Sequence, residues 1–161
     1  LDIRLNGAAH TLYSNEQNLL EMLPSVDLLI GAVLLPGAKA PKLIKREFLR
    51  VMKPGAVFVD IAIDQGGCAE TSRATTHENP VYMEEETLHY CVANMPGAYA
   101  RTATQALTNA TIPYAQKIAN LGFSAALEQI PALHPGVNTY QGQVVYKAVA
   151  DAHGMAAGEI G

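Results

Sequence analysis

Residues 58–67, FVDIAIDQGG, put a carboxylate, an amide and two glycines directly after an apolar, mostly β-branched run. A carboxylate at such a point, Asp64, can take up and release protons and can order a water or an amine. Gly66 and Gly67 carry no side chains, so a ligand can lie against their backbone. The same four residues, Asp64-Gln65-Gly66-Gly67, also make an ordinary surface turn, and the local sequence leaves both readings open.

Other residues with chemical capacity have plainer readings. Ser14 with Gln17 fits a capping box, S-x-x-Q, which marks a helix start and still leaves a hydroxyl for a ligand. Asn94-Met95 precedes Pro96-Gly97 and reads as a turn. His89 and Cys91 alternate with Leu88 and Tyr90 and so share a strand face, but no C-x-x-C or H-x-x-x-H spacing accompanies them, so no metal site is expected. Cys68 sits beside glycines without a neighbouring histidine, which makes a poor nucleophile. Glu84-Glu85-Glu86 reads as a solvated turn. The dinucleotide fingerprint G-x-G-x-x-G is absent.

The elements that must position these residues alternate. Residues 8–14, AAHTLYS, suggest a short strand. A helix follows with Leu19, Leu20, Met22 and Leu23 on one face, stopped by Pro24. VDLLIGAVLL (26–35) is nearly continuous apolar sequence, the pattern of a strand covered on both faces. A helix is expected from about Pro41, with Ile44, Phe48 and Val51 in register, then Pro54-Gly55 and a second buried strand over 56–63. Residues 81–83 and 87–93 flank the three glutamates as a hairpin or edge strand. Apolar positions 103, 107, 110, 114, 118 and 121 predict a helix that Pro113 kinks or interrupts. Shorter helices are expected near 124–130 and 143–153. Strand, helix, strand with short turns is the α/β signature. The ends of three strands, at GAVLLPG, IDQGG and VANMPG, are expected to line one crevice, because ligands of open α/β sheets bind outside the carboxyl ends of the strands.

Composition narrows the function classes. The chain has 161 residues, 49% hydrophobic and 16% charged, with net charge −4 and pI about 5.7. That favours a packed globular protein, and the absence of a Lys/Arg run argues against nucleic-acid binding. No apolar run has the length of a membrane span. Two cysteines make no disulfide framework, so a reduced, cytoplasmic setting is expected.

Five stretches resemble alanine dehydrogenase: DLLIGAVLLPGAKAPKLI, MKPGAVFVDIAIDQGGCAETSRATTHENPVY, HYCVANMPGA, TATQALTNATIPYAQKIANLG and NTYQGQVVYKAVADAHG. The resemblance runs from about Ser14 to Gly154. It implies a Rossmann-type, doubly wound parallel sheet, with residues 1–97 as the later part of the NAD-binding domain. Residues 98–161 would be a connecting helix and the return to a substrate domain. The implied activity is NAD-dependent oxidative deamination of L-alanine to pyruvate and ammonia, and its reverse, in a cytoplasmic homo-oligomer, a hexamer.

Carried over by position, the resemblance implies cofactor contacts at Ser14, Val33, Leu34, Ile61, Asp64, Asn94 and Met95. It implies a catalytic role in proton handling for Asp64. Ala74 and Tyr99-Ala100 depart from the family's usual residues without touching these positions. The opening LDIRLNG lacks an initiator methionine and reads as a helix tail closed by Gly7. An N-terminal portion is therefore expected to be missing, with the pyrophosphate loop, the ribose-binding acid and the substrate-side Arg, Lys and His. In the Rossmann order 3-2-1-4-5-6, residues 8–13 would be strand 3 and 26–33 strand 4. These 161 residues would then not close a continuous sheet. Two alternatives accompany this reading. One is the NAD-binding subunit of proton-translocating transhydrogenase, which shares the PG-x-x-APKLI loop but lacks the IDQGG aspartate and HYCVANMP. The other is a catalytically inert fragment that only binds partner chains.

Overall fold

The structure, a computed structural model, describes residues 4–160. These form two compact units, residues 4–33 with Ala40–Ala93, and Leu34–Lys39 with residues 94–160. Among the described residues no helix is long and apolar enough to cross a membrane.

The first unit is built on a four-stranded sheet. Its strands are β1 (Leu28–Gly31), β2 (Val57–Asp60), β3 (Val81–Glu84) and β4 (Thr87–Tyr90), in the order β1-β2-β4-β3. β1, β2 and β4 are parallel, and β3 returns antiparallel to β4. One register row, Leu29, Phe58, His89 and Tyr82, crosses the whole sheet. Phe58 meets the His89 ring edge-on at 5.2 Å between centroids, and Tyr82 lies 4.9 Å from it. With Ile44, Phe48, Leu49, Met52 and Cys68 this face forms the core.

The opposite face differs from the sequence expectation of strands covered on both sides. Its rows are Leu28, Val57, Leu88, Met83 and Ile30, Val59, Tyr90, Val81. Leu28 is 54% exposed, Ile30 53%, Met83 54% and Val81 46%, and the other four are half-buried. A continuous apolar run specifies burial without saying which chain segment supplies it.

Other expectations are also corrected. Residues 8–14 form no strand. Residues 4–7 form a turn with Asn6 and Gly7 at positive φ, and the expected helix tail before them includes Leu1–Ile3, which lie outside the described residues. The cap of α1 (Glu16–Met22) is Asn15, whose side chain accepts the Asn18 amide at 2.8 Å. Gln17 reaches forward to Glu21 rather than back to Ser14. The helix expected from Pro41 shrinks to α2 (Arg46–Leu49), because residues 43 and 44 pair instead with the loop carrying Cys68 and Ala69. The hairpin between β3 and β4 turns on Glu85 and Glu86, both at positive φ, and is a type of turn that fits the twist of paired strands. Glu85 there is ion-paired with Arg50 and Arg46, which hold its carboxyl down at about 2.

The second unit contains α3 (Ala100–Leu121), α4 (Phe123–Gln129), a small hairpin of β5 (Thr139–Tyr140) and β6 (Gln143–Val144), and α5 (Lys147–Ala152). α3 runs through Pro113 as one helix, and its expected apolar stripe is not buried. Phe123 stacks on Tyr140 at 5.3 Å. The helix expected over 143–153 begins only at Lys147, because Gln141 and Gly142 take positive φ and close the β5–β6 hairpin.

Candidate functional site

β2 does not continue to residue 63 as its apolar sequence suggests. It stops at Asp60, which is completely buried. Asp60 Oδ1 accepts the Ala62 amide at 3.0 Å, and Oδ2 accepts the Cys68 amide at 2.8 Å and the Ser72 hydroxyl at 2.5 Å. A carboxylate out of water requires such donors, and these are supplied by bending the chain around it. Residues Ile61–Gln65 therefore form a 3-10 turn, closed by Gly66 at φ 94° and Gly67 at φ 76°.

In a 3-10 turn the side chains at i and i+3 eclipse one another. Ile61 and Asp64 are so related. Both are exposed, whereas Ala62 and Ile63 between them are buried. The turn thus presents a large apolar side chain and a carboxylate on one side. The two glycines divide the work. A Cβ on Gly67 would collide with Ser72 Cβ and come within 2.7 Å of Asp60 Oδ2, so Gly67 is required inside the turn. A Cβ on Gly66 would meet nothing within 4 Å, and Gly66 is the one that faces open space.

Beside this turn, a cleft of about 150 Å³ follows the carboxyl end of β1. Ser14, Gly31, Ala32, Val33, Leu43 and Cys68 contribute to its lining. Ser14 and Val33, two of the sequence-predicted contacts, meet there. Gly31 leaves room for the Cys68 thiol, which a Cβ at that position would strike. Burial, reinforced by the Asp60 carboxylate, pushes the Cys68 thiol up to about 12, so it stays protonated and has no nucleophilic character at neutral pH. Cys68 joins the two features: its side chain lines the cleft while Asp60 holds its amide.

The remaining predicted contacts belong to the second unit. Leu34 is 63% exposed. Asn94, at φ 58° and ψ 51°, begins the 3-10 turn Met95–Tyr99 and accepts the Gly97 amide at 2.9 Å. Met95 is half-buried.

Sequence reasoning met Asp60 as the exception in an apolar run and gave it no role, although being the one charged residue within AVFVDIAI (56–63) is the signal it carried. It also passed over Lys42, whose ammonium donates to the carbonyls of Gly66 at 2.6 Å and Gly67 at 2.9 Å. His89 is structural. Its Nδ1 donates to the Thr87 carbonyl at 3.0 Å, which leaves Nε2 to accept from the Thr71 hydroxyl at 2.9 Å. Among the described residues no group of three His, Cys, Asp or Glu side chains could hold a metal ion.

Comparison with known proteins agrees with this architecture. Residues 2–147 match the family model described as alanine dehydrogenase/PNT, C-terminal domain. The chain is 53% identical over 155 residues to an alanine dehydrogenase of Halomonas elongata, covering 96% of this chain and 42% of that protein. It is 56% identical over 156 residues to an alanine dehydrogenase of Geobacillus stearothermophilus, with the same coverages of 96% and 42%. A solved L-alanine dehydrogenase superposes with a TM-score of 0.78 at 43% identity, over 95% of this chain and 42% of that one. The transhydrogenase of Sinorhizobium meliloti superposes with a TM-score of 0.55 at 30% identity, over 63% of this chain and 29% of that one. The chain thus spans about two fifths of the length of the curated relatives it matches. With the three parallel strands and the antiparallel β3 in place, the family model matched over residues 2–147 makes this chain a member of the alanine dehydrogenase/PNT C-terminal domain family.

Proposed function

We propose that the chain supplies the nicotinamide side of an NAD-dependent alanine dehydrogenase, which deaminates L-alanine to pyruvate and ammonia and runs the reverse reaction. The observation that carries this reading is the eclipsed pair Ile61 and Asp64, an apolar surface and a carboxylate offered together at the end of a parallel strand.

The residues present fit part of a dinucleotide. The cleft after β1 is mostly apolar, with the Ser14 hydroxyl at its edge, which suits a ribose and a flat ring rather than a phosphate chain. Gln65 Oε1, in the turn beside the cleft, is buried without a hydrogen-bond partner. Ser14, Val33 and Ile61, all of the first unit, would hold the cofactor there. When bound, the nicotinamide ring supplies the hydride chemistry.

Asp64 acts on protons. Deamination ends with addition of water to an imine carbon and departure of ammonia, and each step needs a proton carrier. Asp64 is exposed on its turn, so its carboxylate can exchange protons with water while its backbone stays anchored through Asp60. The dehydrogenase reading is favoured over the transhydrogenase one by the intact IDQGG aspartate. The same reading makes residues 1–97 the later part of a Rossmann domain and residues 98–161 a connection back to a substrate domain. It also makes the protein a cytoplasmic homo-oligomer, a hexamer, with the uncovered stripe of α3 available for packing.

Asp64→Asn in an intact dehydrogenase carrying these residues tests the assignment. Turnover of alanine should fall about 10²-fold or more, with NADH affinity by fluorescence titration changing far less. If Asp64 is only a turn residue, asparagine is well accepted there and the rate stays near wild type.

A further inference from the structure

The backbone after Asp64 satisfies its carbonyl groups in an unusual way. Four successive carbonyls, of Gln65, Gly66, Gly67 and Cys68, all bond to residues 40–44. The Ala40 amide donates to Gln65 O at 2.9 Å. Lys42 Nζ donates to Gly66 O at 2.6 Å and Gly67 O at 2.9 Å. The Leu43 and Ile44 amides donate to Cys68 O at 2.8 and 3.0 Å. On the inner side, Asp60 takes the amides of Ala62 and Cys68. The turn is therefore gripped by an anion on its N–H groups and by a cation on its carbonyls. Two adjacent glycines at positive φ have the widest conformational freedom of any pair, so their carbonyl directions are set by these partners.

We infer that Lys42 is a positioning residue for the Asp64 turn. Its ammonium bonds to the two glycine carbonyls of the turn. By fixing the Gly66 and Gly67 peptide planes it fixes where the 3-10 turn presents Asp64. This rests on the reading of Asp64 as the proton carrier. Neither side chain of the segment's buried anchor, Ala40, nor of Pro41 can donate to these carbonyls, so the ammonium is the side-chain contribution to this contact.

The test compares Lys42→Met, which keeps the stem and removes the donors, with Lys42→Arg, which keeps a cation and donors. Both are made in an intact dehydrogenase carrying these residues, alongside Asp64→Asn. Lys42→Met should lower kcat roughly 10-fold or more, because small misplacement of a reacting group is costly, while the NADH dissociation constant moves far less. Lys42→Arg should recover most of the rate, and amide exchange at Ala62, Gly67 and Cys68 should rise in Lys42→Met and not in Lys42→Arg. A Lys42→Met enzyme with wild-type kcat and wild-type exchange, beside an impaired Asp64→Asn, overturns the positioning role and leaves the Asp64 reading standing. An unimpaired Asp64→Asn instead removes that reading, and the exchange rates alone then decide whether Lys42 holds the turn.

Discussion

The Ala62 amide donates to the Asp60 carboxylate two residues earlier in the chain, at 3.0 Å, and this contact turns a strand into the 3-10 turn that carries Ile61 and Asp64. The apolar run AVFVDIAI has the residues to continue as a strand. A completely buried anion in its middle needs donors, and the nearest are the amides of the chain just ahead. Asp60→Ala should therefore cost at least about 2 kcal/mol, since it leaves buried amides and the Ser72 hydroxyl without their acceptor. Urea unfolding measures it, and a cost under about 0.5 kcal/mol would mean the turn forms without its anchor.

The two glycines of the turn should respond differently to the same change. Gly67→Ala meets both an unfavourable φ and a collision with Ser72 and Asp60, whereas Gly66→Ala meets only the φ. Gly66→Ala should cost about 1 kcal/mol and Gly67→Ala clearly more. Equal losses in thermal or urea unfolding would contradict the packing described around Gly67.

His89 makes stability depend on pH. Burial holds its pKa below 6.5, against the opposing hydrogen bond to the Thr87 carbonyl. A lowered folded pKa means that the unfolded chain binds the proton more readily. Its contribution is thus fully present above pH 6.5 and is lost as pH falls below it. Unfolding midpoints measured from pH 8 down to pH 5 should decline on the acid side of 6.5. In His89→Gln, where the amide can still donate and accept but cannot titrate, that decline should flatten; an unchanged slope would assign it to other groups.

The two faces of the sheet should tolerate charge very differently. Ile30→Lys alters a side chain that is 53% exposed and should change stability of this chain by less than about 1 kcal/mol. Phe58→Lys places a cation at a wholly buried position between the half-buried Leu29 and the buried His89 and should abolish folding. Circular dichroism separates the outcomes, and unfolding by Ile30→Lys would show that the second face is covered within this chain.

What the sequence determined by itself was local or family-wide. Alternating apolar runs and turn residues gave the α/β class, the two parallel strands, the β3–β4 hairpin and the long helix α3, because each depends on side-chain period and on residues such as proline and glycine. The long motifs carried the family, which the match over residues 2–147 bears out. The tertiary structure decided what depends on partners distant in the chain. The Ser14–Gln17 box was displaced by Asn15 as the cap, since cap geometry depends on the entry direction of the chain. The helix expected from Pro41 gave way to a segment bonded to residues 65–68, an interaction 24 or more residues away that no periodicity records. Ile61 and Asp64 came to lie on one side only because Asp60, a charge inside an apolar run, required donors and bent the strand to obtain them.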